Sequence, residues 1–283
     1  MFYNEFDMLE IKLNIMGDHV DQFNIVEIDK THSGQPKEFN LEKQWNRYAK
    51  WHSKINYIKQ SNFECKPDSW DNERSNRNLA TLGWNDITDD DVIIISDCDE
   101  IIRPETLQYI RETNFDYYGL TMPIFYFKFN YMLTDDMDAF TVWPTAYRGI
   151  KSKGFIPSQL RRGWNEKGTR DRNHFKNGVI VNHAGWHFSW FGNNEHITKK
   201  IKSYAHTEFN NENILGDLNI DDCINRGDDH LKRGMTKWKK AKFDNYFPQY
   251  LLDNQSQYSN CILDSEVPVT NYFNAPLMSI ENM

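Results

Sequence analysis

Two aspartates, Asp97 and Asp99, have the clearest potential for chemistry, because they directly follow a run of apolar residues. The run at 92–95 (VIII) predicts a buried strand of a parallel sheet. Ligands of open α/β sheets bind at the carboxyl ends of the strands. In an extended segment, side chains two residues apart share a face, so these carboxylates repel unless a cation, a proton or a hydroxyl donor separates them. The pattern favours a divalent-metal site that serves a diphosphate.

A purely structural role for these acidic residues is equally compatible with their spacing. Asp97, Asp99 and Glu100 precede Pro104, and proline is favoured in the first turn of a helix. Carboxylates near a helix N-terminus interact favourably with the helix dipole. A solvated acidic turn before a helix is therefore the alternative to a metal site, and the rest of the chain must decide.

Composition restricts the possible functions of the 283-residue chain. The net charge of −8 gives no overall attraction to nucleic acid. The 9 Trp, 14 Tyr and 18 Phe residues suit stacking on sugars or bases, although aromatic side chains also fill cores. The four cysteines are scattered, with no CxxC pair and no zinc-ligand spacing, which predicts a reducing compartment. With no apolar run long enough for a bilayer and no leader at the first residues, we predict a soluble cytoplasmic protein without membrane insertion.

Helical and strand patterns alternate along the first hundred residues, which predicts a doubly wound α/β domain. The predicted helices span 6–16, 40–52 and 70–82, with Gly17 and Gly83 at two of their ends. The predicted strands span 22–28, 54–58 and 92–95.

Further strands are predicted at 117–124, 125–132, 139–147 and 179–182, with a break at Trp143 and Pro144. A helix is predicted to run from about 194 to 209, with Asn193 or Asn194 as its N-cap. Residues 148–176 and 232–242 are rich in Lys and Arg, and we predict that the first of these segments is a loop region. Past Pro248 the chain is predicted to be rich in loops.

Six segments occur in an order that resembles one protein family. They are 2–10 (FYNEFDMLE), 31–34 (THSG), 97–101 (DCDEI), 185–189 (GWHFS), 203–208 (SYAHTE) and 247–250 (FPQY). Together they resemble glycosyltransferase family 17. The resemblance covers roughly residues 1–255, which we predict to be one domain, with 256–283 as a tail packed on it or extending from it.

The resemblance implies a fold, a reaction and a cofactor. The implied fold is GT-A-like, a Rossmann-related mixed sheet flanked by helices. The implied reaction is an inverting transfer of a sugar, with N-acetylglucosamine expected, from a UDP-sugar to a hydroxyl of a glycan acceptor. The implied cofactor is Mn²⁺ or Mg²⁺, which would stabilise negative charge on the diphosphate leaving group.

The expected metal ligands are Asp97, Asp99 and His187. Asp99 is expected to bind the cation directly and also to be catalytic, with Asp97 reaching metal-bound water or the ribose hydroxyls. His187 is expected at a second strand end, and a nitrogen ligand beside carboxylates suits Mn²⁺ at least as well as Mg²⁺. A hydrogen-bonded core histidine between Trp186 and Phe188 is the alternative for His187.

An inverting transfer also needs a base that takes the proton of the acceptor hydroxyl. Glu195 is the expected base, because it lies at the predicted amino end of a helix eight residues past His187. A carboxylate that only complements the helix dipole is the alternative. Asp135 and Asp136 are the reserve candidates.

The remaining expected site residues contact the nucleotide. Arg77 lies on the helix before the strand at 92–95, and Arg161 comes from the basic region. Glu27, Thr31 and His32 follow a strand and are expected near the uracil and ribose. The motifs of the resemblance add Asn4, Glu5 and Cys98 to the nucleotide site.

Two other functions remain open at this point. The first is a glycosyltransferase that acts on a modified base in DNA, which the basic segments permit and the acidic net charge disfavours. The second is a non-catalytic carbohydrate-binding protein, which would explain the aromatic residues but not the aspartate pair. A glycoside hydrolase fits less well, because Asp97 and Asp99 are too close in sequence to flank a sugar.

Overall fold

The computed structural model describes residues 1–134, 140–162, 177–234, 238–272 and 279–282, in which the strands form two sheets. In chain order the strands are β1 (Phe23–Ile28), β2 (Ile55–Gln60), β3 (Ile93–Ile95), β4 (Glu100–Ile102), β5 (Tyr117–Tyr126), β6 (Tyr131–Leu133), β7 (Phe140–Tyr147), β8 (Gly178–Asn182), β9 (Gly185–Ser189), β10 (Trp238–Lys240) and β11 (Ser279–Asn282).

Short helices surround the sheets. The α-helices are α1 (Phe6–Met16), α2 (Ser69–Asn78), α3 (Pro104–Glu112), α4 (Ile150–Lys153), α5 (Pro157–Arg162), α6 (Asn194–Ser203), α7 (Glu212–Leu215), α8 (Ile220–Arg226) and α9 (Gln249–Asp253). The 3₁₀ helices are Leu41–Lys54, Leu79–Gly83, Thr207–Phe209, Ser259–Cys261 and Val269–Asn271. No helix in the described ranges is long and apolar enough to cross a membrane.

The larger sheet is mixed, and β5 lies at its centre. Strand β5 pairs antiparallel with β6 and β7 and parallel with β8 and β9. The outer strands β3, β4, β10 and β11 all join it by antiparallel pairing. The smaller sheet consists of β1 and β2, which run parallel.

The mixed α/β class is therefore confirmed, but the predicted parallel, doubly wound sheet is wrong. Strand β3, expected in a parallel sheet, pairs antiparallel with β7. Of the apolar run at 92–95 only Ile95 is buried and the other three residues are half-buried, so the run does not mark a strand buried on both faces as in a parallel sheet. Because β3 and β7 are far apart in sequence, the local pattern held no information on their pairing.

Helix α1 connects the two sheets and has the predicted bounds. Met8 and Ile11 pack in the main hydrophobic core, which includes residues of β5 and β9. Leu9 and Leu13 pack on the other side, in a cluster that includes Ile25 of β1. Burial of such a side chain contributes about 1.5–3 kcal/mol, so α1 holds the chain segments next to both sheets in a fixed arrangement.

The predicted strands at 117–124 and 125–132 are wrong in their boundary. One strand, β5, runs unbroken to Tyr126, and the turn begins at Phe127, whose φ of 62° lies in the left-handed region. The predicted break near Pro144 appears as a shift of register between β5 and β7 at Gly119 and Thr121. A bulge is a position that accommodates the missing N–H of proline.

The predicted helix at 194–209 ends early. Asn193 is its N-cap, as expected, and its Oδ1 accepts from the amide of His196 at 3.0 Å. Helix α6 ends at Ser203, whose hydroxyl donates to the carbonyl of Lys199 at 2.8 Å, and Tyr204 is extended. Such side-chain bonds to the preceding turn compete with continuation of the helix.

The predicted basic loop at 148–176 is partly helical. Residues 150–162 contain the short helices α4 and α5, and residues 163–176 lie outside the described ranges. Helix α5 matters for function, because it brings Arg161 to the carboxyl end of β3.

Candidate active site

The candidate site is built on a tight turn between β3 and β4. The amide of Glu100 donates to the carbonyl of Asp97 at 3.2 Å, and the amide of Asp97 donates to Oε2 of Glu100 at 2.7 Å. Residues 97–99 are therefore not extended, and the prediction that Asp97 and Asp99 leave one face of a strand is wrong. The buried carboxylate of Glu100 stabilises the turn, a role that the sequence pattern did not indicate.

Lys12 of α1 also stabilises this turn through hydrogen bonds. Its ammonium donates to Oγ of Ser96 at 2.8 Å and to the carbonyls of Asp97 and Glu100 at 2.6 and 2.9 Å. The residue is 7% exposed, and burial lowers the pKa of its amine. A buried ammonium requires such partners, so the position of the turn depends on this lysine.

Two arginines bind the carboxylate of Asp97. Nη1 of Arg77 donates to Oδ1 at 2.7 Å, and Nη2 of Arg161 donates to Oδ2 at 3.0 Å. Burial opposes ionisation of Asp97, but the two guanidinium groups outweigh it and hold the pKa of Asp97 well below its usual range. Arg161 also binds Glu100 at 2.5 Å, and Arg77 also binds Glu73. Asp97 therefore carries a negative charge that orients two cations.

Asp99 has a lysine and a histidine as neighbours. Nζ of Lys200 lies 3.3 Å from Oδ2, and Nε2 of His187 lies 3.7 Å from Oδ1. Burial opposes ionisation of Asp99, but Lys200 and His187 outweigh it and lower the pKa of the carboxyl. Burial also opposes the charge of Lys200, whereas Asp99 and Glu5 outweigh burial and raise the pKa of its ammonium.

His187 comes from the middle of β9 rather than from a strand end. In the antiparallel pair of β4 and β9 it lies opposite Glu100, and the amide of Phe188 donates to the carbonyl of Asp99 at 2.9 Å. This pairing is what brings His187 next to Asp99 across a gap of 88 residues in sequence. A strand pair thus supplies the second part of the site.

The side chains present accommodate a divalent cation with only two protein ligands. Asp99 and His187 lie close enough to share one ion, whereas both carboxylate oxygens of Asp97 are bound by arginines. Within the described ranges, no group of three or more His, Cys, Asp or Glu side chains is arranged to hold a metal. Mg²⁺ and Mn²⁺ sites that act on phosphates often have one or two carboxylates and take other ligands from substrate and water, which fits this arrangement.

The two aspartates and their lysine face a cavity of about 240 Å³. Seven residues expected at the active site line it. They are Glu5, Thr31, His32, Arg77, Asp97, Cys98 and Asp99. Several lining residues were not predicted, among them Trp70, Asn76, Lys200, Tyr204 and His206. The segment 203–208 already belonged to the family resemblance, so its sequence held a signal for Tyr204 and His206, although no role followed from it.

The cavity wall carries both charged and aromatic side chains. Lys200 and Arg77 lie next to the aspartates, and Nζ of Lys200 lies 5.1 Å from the ring centre of Trp190. The rings of Trp70 and His206 meet edge to face at 4.4 Å, and Tyr204 lies 5.4 Å from His206. Burial raises the pKa of the Cys98 thiol, which makes that residue a neutral part of the wall.

Five other predicted residues that the structure describes do not line the cavity, and two of them, Arg161 and His187, contact the aspartates instead. The buried carboxylate of Glu27 is bound by Lys37, which does line the cavity, at 2.8 Å and by the hydroxyl of Tyr57 at 2.7 Å. Asn4 donates its amide to Glu5 but does not line the cavity.

Glu195 is exposed in the first turn of α6 and is not part of the cavity lining. It precedes Lys200 by five residues, which places the two side chains about 140° apart around the helix. Asp135 and Asp136 lie outside the described residues. The base therefore remains a prediction.

The cavity of this α/β protein combines cations beside two carboxylates with aromatic rings, which suits a ligand that carries both negative charges and a flat ring. A model of glycosyltransferase family 17 matches residues 1–263. The chain belongs to this family and is a glycosyltransferase, so the alternative of a non-catalytic carbohydrate-binding protein is not supported. A search of curated proteins and a search of solved structures each returned no match.

Proposed function

We propose that this glycosyltransferase transfers a sugar, expected to be N-acetylglucosamine, from a UDP-sugar to a hydroxyl of a glycan acceptor, with inversion and with a divalent cation. The observation that carries the proposal is the shared cavity of Asp97, Asp99, Arg77 and Lys200. An aspartate pair alone would repel a diphosphate. Because Arg77 and Arg161 neutralise Asp97, Asp99 is left to hold a cation, and the site can still accept a polyanion.

The charges of the cavity suit the departure of a diphosphate. When the bond between the sugar C1 and the β-phosphate oxygen breaks, its electron pair leaves with UDP. Nζ of Lys200 lies 3.3 Å from Oδ2 of Asp99 in the cavity wall, where its charge can also stabilise a phosphate oxygen of the donor. A cation held by Asp99 and His187 would supply further neutralisation of the leaving group. Fixed charges of this kind act without reorganisation during the reaction.

Inversion requires the acceptor hydroxyl to approach C1 from the face opposite the diphosphate. The new bond to C1 forms as the bond to UDP breaks, and the hydroxyl proton passes to a carboxylate base. Glu195 stays our prediction for that base. Glu5 and Asp99 are carboxylates that line the cavity itself.

Calorimetry with purified protein tests the proposal. We expect UDP and UDP-N-acetylglucosamine to bind more tightly with Mn²⁺ than with a chelator, and Asp99→Asn to abolish that difference without unfolding the chain. Asp217→Asn, at an exposed carboxylate, is the matched control. If UDP bound with equal affinity in Mn²⁺ and in chelator, the proposed dependence on a divalent cation would be wrong. If the protein bound neither UDP nor UDP-N-acetylglucosamine, the proposal of a UDP-sugar donor would be wrong.

A further inference from the structure

One polar atom in the cavity wall is buried without a hydrogen-bond partner. It is Oδ1 of Asn76, which belongs to α2 and is 3% exposed. Its amide nitrogen, Nδ2, lies 3.0 Å from Nε2 of His32, so only the oxygen is left over. Buried acceptors are nearly always paired, because loss of hydration is costly. An unpaired acceptor in the lining of a cavity therefore points to a donor on the ligand.

The neighbouring histidine fixes the orientation of the Asn76 amide. Burial lowers the pKa of His32 to about 4, so its ring is neutral at neutral pH. Because Nδ2 of Asn76 donates to Nε2, the single ring proton lies on Nδ1, on the side of the ring away from Asn76. The contact with Nε2 therefore leaves Oδ1 as the acceptor of the Asn76 amide. Both residues line the cavity.

The surroundings of Asn76 suit a flat ring. Trp70, Tyr204 and His206 line the same cavity, and the hydroxyl of Tyr204 is a second buried polar atom without a partner. Aromatic walls bind nucleobases by stacking. Arg77 and Lys200 also line this cavity, so it offers aromatic rings for a base and cations for a diphosphate.

We propose that Asn76 recognises the imide group of the donor base, uracil: Oδ1 of Asn76 accepts from N3–H. This inference rests on the proposed function, because it assigns the base-binding part of the same cavity. Cytosine has a lone pair in place of the N3–H, which would face the lone pairs of Oδ1. Asn76 therefore selects uracil over cytosine.

A series of UDP analogues tests the inference on the unmodified chain. We expect UDP to bind about 10–100-fold more tightly than CDP and than N3-methyl-UDP, which has the same charges but no N3–H. The affinity for pyrophosphate measures binding of the diphosphate without a base. Equal affinity for UDP and N3-methyl-UDP would overturn the inference and leave the proposed function intact, whereas absence of UDP binding would overturn both. Tight binding of GDP would contradict selection of a pyrimidine.

A variant then assigns the effect to the residue. Asn76→Ala is expected to bind UDP about 10-fold or more weakly, to lose the preference over N3-methyl-UDP, and to bind pyrophosphate as before. Asn78→Ala, on the same helix but outside the cavity lining, is the matched control and should keep the preference. If Asn76→Ala retained the preference, recognition of N3–H would not depend on Asn76. The analogue series remains decisive if that variant fails to fold.

Discussion

At the scale of single residues, the site is defined by which cations bind which carboxylate. Asp97 is bound by two arginines at 2.7 and 3.0 Å, whereas Asp99 has the longer contact with Lys200. The short contacts make Asp97 a fixed anchor for guanidinium groups. The longer contact supports the proposal that Asp99, rather than Asp97, exchanges its lysine for a divalent cation.

Replacement of Lys200 tests this exchange. Because Lys200 and a divalent cation would both bind Asp99, Lys200→Met is expected to raise Mn²⁺ affinity without nucleotide and to lower transfer by about 10²–10³-fold. Mn²⁺ titration followed by electron paramagnetic resonance measures the first effect, and release of UDP measures the second. Lys202→Met, at an exposed position of the same helix, should change neither. An unchanged Mn²⁺ affinity in Lys200→Met would contradict competition for Asp99.

The predicted base has its own test. If Glu195 takes the proton of the acceptor, Glu195→Gln should keep UDP binding and lower transfer by roughly 10²–10⁴-fold. If it only complements the dipole of α6, the change should be a loss of about 0.3–1 kcal/mol in stability. Turnover and the free energy of unfolding, measured on one preparation, separate the two roles. Near-normal turnover would show that another carboxylate is the base, and Glu5 in the cavity would be the first to test.

At the scale of elements, the site depends on a turn that three segments hold in place. Helix α1 supplies Lys12, β4 supplies Glu100 and α5 supplies Arg161. Each of these three side chains is charged and largely buried, and each is hydrogen-bonded within the turn. Leaving a buried charge without a partner is costly, so each segment stabilises the position of the other two.

Lys12→Met should reveal this dependence. The substitution keeps the apolar stem but removes the Lys12 donor from the carbonyl of Glu100, while the carbonyl of Asp97 keeps the amide of Glu100. A buried acceptor left without a donor costs about 1–3 kcal/mol. Urea unfolding should therefore show a clear loss of stability, accompanied by weaker UDP binding. Lys43→Met, which breaks only a surface ion pair, should stay within about 0.5 kcal/mol of the parent chain. A stable Lys12→Met variant with normal UDP affinity would show that the turn holds its shape without the lysine.

At the scale of the whole molecule, stability should depend on pH through histidines that fold in neutral form. Burial lowers the pKa of both His32 and His183 to about 4, from a usual value of about 6.5. The unfolded chain therefore binds more protons than the folded chain between these values. Stability should fall as the pH drops from about 6.5 toward 4 and should be insensitive to these groups at higher pH.

The magnitude follows from the two pKa values. Between pH 7.5 and pH 5, neutral burial of His32 alone should account for a loss of about 2 kcal/mol. Urea unfolding of the parent chain and of His32→Asn at both pH values measures it, and the variant should lose less stability on acidification. An equal loss in the two proteins would show that His32 titrates normally in the folded state.

The sequence by itself determined the local elements and the chemical types at the site. Helix α1, the N-cap Asn193 and the helix that begins at Pro104 follow from caps and periodicity, which act over a few residues. The aspartate pair and the motif residues identified the family and seven residues of the cavity lining. The tertiary structure alone decided that β3 pairs antiparallel with β7, that 97–99 form a turn, and that Lys12, Asn76 and Lys200 belong to the site. These features depend on contacts between residues distant in sequence, where the energy of pairing and burial is set by the partner and not by the local pattern.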